Sequence, residues 1–118
     1  MSSAALEAYL DGERRRAAIA FALDEELGIH HGLSSSDFVL LHSLDDSAPM
    51  AEAALARMLG ELRSRLLMRI RPLEKIGVVT RSVDASGGRS VALSAGGRRL
   101  LVEARGTAAE VCSRWLCK

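Results

Sequence analysis

Residues 60–99 read GELRSRLLMRIRPLEKIGVVTRSVDASGGRSVALSAGGRR, and this stretch decides the fold. Leu62, Leu66, Ile70 and Leu73 recur at helical spacing, which predicts a helix over 63–76 with one apolar stripe. Gly77 stops that helix. Val78-Val79 opens a strand, Ser82 to Gly88 is a polar loop, and Ser90-Val91-Ala92-Leu93 alternates as a returning strand does. Ser94 then caps a further helix. The same stretch holds nine Lys/Arg (Arg63, Arg65, Arg69, Arg71, Lys75, Arg81, Arg89, Arg98, Arg99) against three acids (Glu61, Glu74, Asp84). Residues 1–59 hold four Arg against ten acids. The whole chain of 118 residues carries only +1, so its charge is sorted along the sequence. A basic helix followed by a basic hairpin is the electrostatic footprint of a surface that meets phosphates; a solvated, arginine-rich helix face is the plain alternative.

Upstream of Gly60, Met50–Leu59 reads as a short helix with Ala51, Ala54, Leu55 and Met58 inward. Asp45-Asp46-Ser47-Ala48-Pro49 is a turn, with Pro49 where a helix can begin. Ser34, Ser35 or Ser36 caps a helix through Phe38, Leu40, Leu41 and Leu44. Ser3 to Leu27 has helix composition, and Gly28 and Gly32 punctuate its end. Downstream, Leu101, Ala104, Ala108, Val111 and Trp115 form a long apolar line, interrupted at Gly106. The expected class is mainly α with a small β-hairpin. Two short helices, the second basic and followed by a two-stranded ribbon, describe a winged helix-turn-helix, whose second helix lies in a DNA major groove. One domain over 1–118 is expected, with 34–94 as the winged helix-turn-helix and 1–33 and 95–118 as flanking dimerisation helices.

With 48% apolar residues, a real core is available, but only four aromatics, Tyr9, Phe21, Phe38 and Trp115, contribute. No apolar run reaches membrane-span length, and Met1 to Asp11 lacks the basic start and apolar run of a signal peptide, so a cytoplasmic location is expected. Cys112 and Cys117 match no zinc or CxxC pattern and would sit about 140° apart on one helix. His30, His31 and His42 have no ligand partner at suitable spacing, so no metal is expected. Asp24-Glu25-Glu26 reads as a solvated helix end. Ser34-Ser35-Ser36 has no placed base, and Gly87-Gly88 and Gly96-Gly97 fit a turn and a helix start. No catalytic constellation or cofactor motif is found, and no enzyme activity is expected.

At these residues the chain resembles the MarR family of bacterial transcriptional regulators over nearly its whole length. Gly32-Leu33-Ser34 leading to Phe38-Val39-Leu40-Leu41 resembles the family's entry into its second helix. Leu55-Ala56-Arg57-Met58-Leu59-Gly60 resembles its third. Pro72-Leu73-Glu74-Lys75-Ile76-Gly77-Val78-Val79 resembles the close of the recognition helix in one branch. Asp84 to Arg89, then Val91, Leu93, Ser94 and Gly97, follow the wing pattern. Three departures stand out. Gly87 and Gly88 replace a common Asp-Arg pair. Leu67 and Met68 stand where Thr-Arg is frequent, with Arg69 in place of a buried Leu. The chain also stops soon after Trp115, where relatives carry a further helix.

The resemblance implies a dimeric DNA-binding regulator, a repressor whose binding to a pseudo-palindromic operator in double-stranded DNA is modulated by a small aromatic acid. The DNA-contacting residues implied are Arg63, Ser64, Arg65, Leu67, Met68, Arg71, Lys75, Arg81 and the wing-tip Arg89, with Arg69 snorkelling outward. Phe21, His31, Phe38 and His42 are candidates for lining the effector pocket. A homodimer built on Leu6, Leu10, Phe21, Leu101, Ala104, Ala108, Val111 and Trp115 would cover the apolar lines of the first and last helices, Ala17 among them. The alternative is a winged-helix protein-interaction module that binds no DNA, favoured by the apolar Leu67 and Met68. Pro72 inside the basic helix predicts a kink or a tightened last turn.

Overall fold

The computed structural model describes residues 3–45 and 48–116. The element order is α1 (Ser3–His31), α2 (Ser35–Ser43), β1 (Met50–Ala51), α3 (Glu52–Leu59), α4 (Arg63–Lys75), β2 (Val79–Val83), β3 (Arg89–Leu93) and α5 (Ala95–Leu116). Asp46 and Ser47 of the expected turn, and Cys117, lie outside the described residues. The chain divides into two compact units, one of residues up to Ser35 with those from Ala104 onward, the other Ser36–Glu103. The sequence placed the later boundary at 94, whereas the first turns of α5 group with the second unit.

In the first unit α1 runs four residues past Leu27, through Gly28, because a glycine followed by Ile-His-His can still hold helical dihedrals. Gly32, at φ +68°, ends it. The amide of Gly32 donates to the Gly28 carbonyl and that of Leu33 to the Leu27 carbonyl. Leu27, Leu33, Ala104, Ala108 and Val111 are buried. His31 Nε2 lies 2.8 Å from Thr107 Oγ1. Asp24, expected as part of a solvated helix end, is exposed and also accepts the Ser35 amide at 2.6 Å, so it satisfies a free donor where α2 begins.

The second unit is built on Leu40, Leu41, Leu44, Leu55, Ala56, Leu66, Ile70, Leu73, Val78, Val79, Val91, Leu93 and Leu101. Its sheet has the order β1-β3-β2 and is antiparallel throughout. Met50 and Ala51, expected at the start of a helix, pair with Val91 and Ser90, adding a third strand to the hairpin. On α3, Met58 is exposed and Leu55 and Ala56 are the buried pair. Leu62 is also exposed, because it is the extended residue capping α4 and not part of its stripe. Leu66, Ile70 and Leu73 are buried as the spacing requires.

Two glycines frame α4. Gly60 (φ +66°) and Gly77 (φ +85°) adopt left-handed dihedrals that an L side chain resists. Around Gly60, its own amide donates to the Arg57 carbonyl and the Glu61 amide to the Ala56 carbonyl. Around Gly77, the pair is Gly77 to Glu74 and Val78 to Leu73. Both are Schellman closures, so α3 and α4 end at fixed residues. The helix continues through Pro72 to Lys75.

Candidate nucleic-acid interface

The exposed face of α4 follows from its phase. With Leu66, Ile70 and Leu73 inward, Ser64, Arg65, Met68, Arg71, Pro72 and Lys75 fall outward, and all six are exposed. Arg63 is exposed in the first turn, and Leu67 lies half-buried at the margin. Among the described residues, Arg63, Arg65, Arg71 and Lys75 make no ion pair within the chain. Four cations are therefore presented with their charge uncompensated.

Two other arginines of the basic segment are neutralised. Arg69 does not snorkel into solvent: its guanidinium is ion-paired with Glu61 and donates to the Ser36 carbonyl. Arg81, expected to meet DNA, turns inward. Its Nε donates to Oε2 of the fully buried Glu52 at 2.9 Å, and its Nη1 lies 4.0 Å from Glu74 Oε1. The hydrogen bond that Arg81 donates to Glu52, the largest cause, holds the guanidinium above its ordinary pKa. Arg81 thus joins β2 to the start of α3 and the end of α4, and leaves the set of free cations. Glu52 escaped the sequence reading because a glutamate at a helix start reads as surface. The signal was in β2: Val79 is buried, and Arg81, two residues on, shares its face.

The wing tip is organised by Asp84. Its Oδ1 accepts from the Ser86 amide at 3.0 Å, the Ser86 hydroxyl at 2.8 Å and the Gly88 amide at 2.7 Å. These bonds, the Ser86 hydroxyl first, hold its carboxyl below the usual pKa. Gly87 supplies the left-handed turn at φ +86°. A Cβ on Gly88 would meet Asp84 Oδ2 at 2.6 Å, so glycine at this position goes with the turn centred on the Asp84 side chain. Arg89 stands exposed immediately after it, without an ion pair among the described residues.

The base of the wing is locked to α5. Ser94 Oγ donates to the Gly77 carbonyl at 2.6 Å and accepts from the Gly97 amide at 2.9 Å. Its own amide donates to Val78 O at 3.1 Å. Gly97 is buried with no room for a Cβ beside the Val78 carbonyl.

Of the residues proposed for an effector, Phe38 and His42 stack with ring centroids 6.0 Å apart. Phe21 is exposed on α1, and His31 is engaged with Thr107. The apolar line on α5 is corrected. Leu101, Ala104, Ala108 and Val111 are buried inside the protomer itself, Leu101 to 1% exposure, and are spent on its own core. Leu6, Phe21 and Trp115 are exposed, Trp115 at 46%, and Leu10 is half-buried. The large exposed apolar residues of α5 are Val102, Trp115 and Leu116. Among the described residues no three His, Cys, Asp or Glu side chains cluster as a metal would need, and no helix is long and apolar enough to cross a membrane.

A helix-turn-helix with an uncompensated basic second helix, followed by a wing tipped with arginine, defines a winged-helix protein. More narrowly, the architecture is the fold of MarR-family transcriptional regulators. A MarR-family transcriptional regulator from Rhodococcus sp. RHA1 superposes with a TM-score of 0.88 at 19% identity, covering 98% of this chain and 82% of that one. A mutant MarR from E. coli, crystallised with operator DNA, gives 0.79 at 18% identity over 87% and 75%. CouR from Rhodococcus jostii RHA1, bound to p-coumaroyl-CoA, gives 0.80 at 20% identity over 87% and 72%. No family model and no curated protein matches the sequence.

Proposed function

We propose that the chain is a DNA-binding transcriptional regulator that works as a homodimer. One observation carries this reading: among the described residues Arg63, Arg65, Arg71, Lys75 and Arg89 make no ion pair, while Arg69 and Arg81 of the same basic segment are paired internally. Cations left free on the face of α4 and at the wing tip are placed for phosphate oxygens and base edges. The E. coli neighbour, solved on operator DNA, supports the placement.

The dimer buries the outward residues Leu6, Leu10 and Phe21 of α1 with Trp115 of α5, without the four residues already used in the protomer core. Only Leu27 of the 29-residue α1 is fully buried, which leaves Leu6, Tyr9, Phe21 and Ile29 for a second copy to cover. Two protomers present two recognition helices to a pseudo-palindromic operator. Repression relieved by a small aromatic acid is the regulatory reading, supported by the p-coumaroyl-CoA complex of CouR and by the Phe38–His42 stack, whose faces suit an aromatic ring.

Fluorescence anisotropy with duplex DNA between 50 and 200 mM salt tests the core of the proposal. Affinity should fall steeply with salt, and Arg71→Ala or Arg89→Ala should lower the log–log slope by about 1 each per protomer in contact. A well-folded protein that shows no salt-dependent duplex binding is instead a protein-interaction module.

A further inference from the structure

The outward face of α4 has an apolar centre and a cationic rim. Met68 is 73% exposed. At helical spacing its neighbours are Ser64 and Arg65 one turn before and Arg71 and Pro72 one turn after, with Lys75 beyond. In water a methionine there gains nothing from burial, whereas arginine or lysine on either side stays solvated. The arrangement suits a surface that is anionic at its edges and locally apolar on its floor. The DNA major groove is such a surface wherever thymine projects its 5-methyl group.

Residue chemistry narrows the choice of base. The chain contains no asparagine and no glutamine at any position. Those are the side chains that read adenine through paired bonds to N6 and N7. Arginine and lysine read guanine O6 and N7, and carboxylates read the cytosine amine. No Asp or Glu lies among the six outward residues of α4. An A·T pair beneath this helix gets no paired reading from Asn or Gln, which leaves a single bond from Ser64 and the thymine methyl, for which Met68 is the long, flexible exposed apolar side chain beside the rigid Pro72.

We propose that Met68 is a specificity-determining residue that packs its thioether side chain against the 5-methyl group of a thymine in each half-site, while Arg65 and Arg71 take guanine or phosphate on either side. This rests on the DNA-binding reading above. A methyl contact contributes without hydrogen-bond geometry, so the flexible methionine can follow the groove floor.

The test uses the duplex that wild-type protein enriches from a random pool at 150 mM salt. Each thymine is replaced in turn by deoxyuridine, which removes the methyl and nothing else. One position per half-site should weaken wild-type binding roughly three- to fivefold, the size of a single buried methyl. At that position 5-methylcytosine·guanine should bind tighter than cytosine·guanine by a similar factor. Met68→Ala should bind thymine and uracil duplexes equally. Met68→Leu, still apolar, should keep the discrimination. Because the side chain is exposed, both variants should retain the wild-type circular dichroism spectrum and melting temperature. Equal wild-type affinity for thymine and uracil at every position, with other sequence preferences intact, overturns the methyl contact and leaves DNA binding standing. Failure of the wild type to enrich any duplex, or to bind DNA at 50 mM salt, overturns both. A protein captured through the same face and lost on Met68→Ala would identify a protein partner instead.

Discussion

Removing the cation from the Glu52–Arg81 pair should cost far more than neutralising the anion. Glu52 is fully buried, and Arg81, at 19% side-chain exposure, supplies its hydrogen bond and charge at 2.9 Å. Arg81→Met strands a carboxylate in the core, and breaking a buried pair from one side costs about 3–5 kcal/mol. Glu52→Gln leaves a neutral amide in the core. It also leaves Arg81 with water on one side and Glu74 Oε1 4.0 Å away, so about 1–2 kcal/mol is expected. Replacing both by methionine removes two desolvated charges together and should fall within about 1 kcal/mol of the wild type. Arg81→Met alone should thus lose at least about 2 kcal/mol more than the double methionine variant. Urea denaturation followed by far-UV circular dichroism reads these differences, since Tyr9 and Trp115 both lie in the other unit and their fluorescence would report on it. Equal losses below about 1 kcal/mol for both single variants would refute the argument and return Arg81 to the free cations.

Two glycines of α5 should respond to alanine with opposite signs. Gly97→Ala places a methyl against the Val78 carbonyl, 3.0 Å from its carbon, and should destabilise by about 1–3 kcal/mol, whereas Gly106→Ala, with nothing within 4 Å, should stabilise by about 0.5–1 kcal/mol. Melting curves of the two variants decide between these signs. Asp84 supplies a pH test at the wing. Its carboxyl is held below the usual value in the folded state, so its contribution to wing order is complete above the ordinary carboxylate range and is lost as pH falls through the lowered value. The amide proton shifts of Ser86 and Gly88 should titrate together below about pH 3.9, and a midpoint at or above that value contradicts the turn described. Trp115→Ala should move the protein toward monomer in sedimentation and weaken duplex binding with it; a wild type that is monomeric at micromolar concentration excludes the dimer.

The fold was legible where a period is long enough to read. The stripe Leu66, Ile70 and Leu73 with flanking glycines located α4, and alternation at Val91 and Leu93 located the returning strand. A two-residue strand such as Met50–Ala51 has no period at all, and only its pairing to Ser90 and Val91 reveals it. The line Leu101, Ala104, Ala108, Val111 was read as apolar correctly and assigned to the wrong neighbour. An apolar stripe has the same spacing whether it faces its own chain or a second copy, and only burial within the protomer distinguishes the two. In the candidate site, helix phase sufficed for Ser64, Arg65, Met68 and Arg71. It did not suffice for Arg69 and Arg81, whose partners Glu61 and Glu52 are carboxylates on other segments, so the pairing depends on tertiary contacts.

The framing of α4 also bears on how such a protein diversifies. Leu66, Ile70 and Leu73 anchor the helix, and the left-handed Gly60 and Gly77 set where α3 and α4 stop, but none of these residues is on the outward face. Exchanges at Ser64, Arg65, Met68 and Arg71 should therefore leave stability within about 0.5 kcal/mol, as surface substitutions generally do. Single steps at these four positions change what the face presents while the protein stays folded, so each variant is open to selection on binding alone.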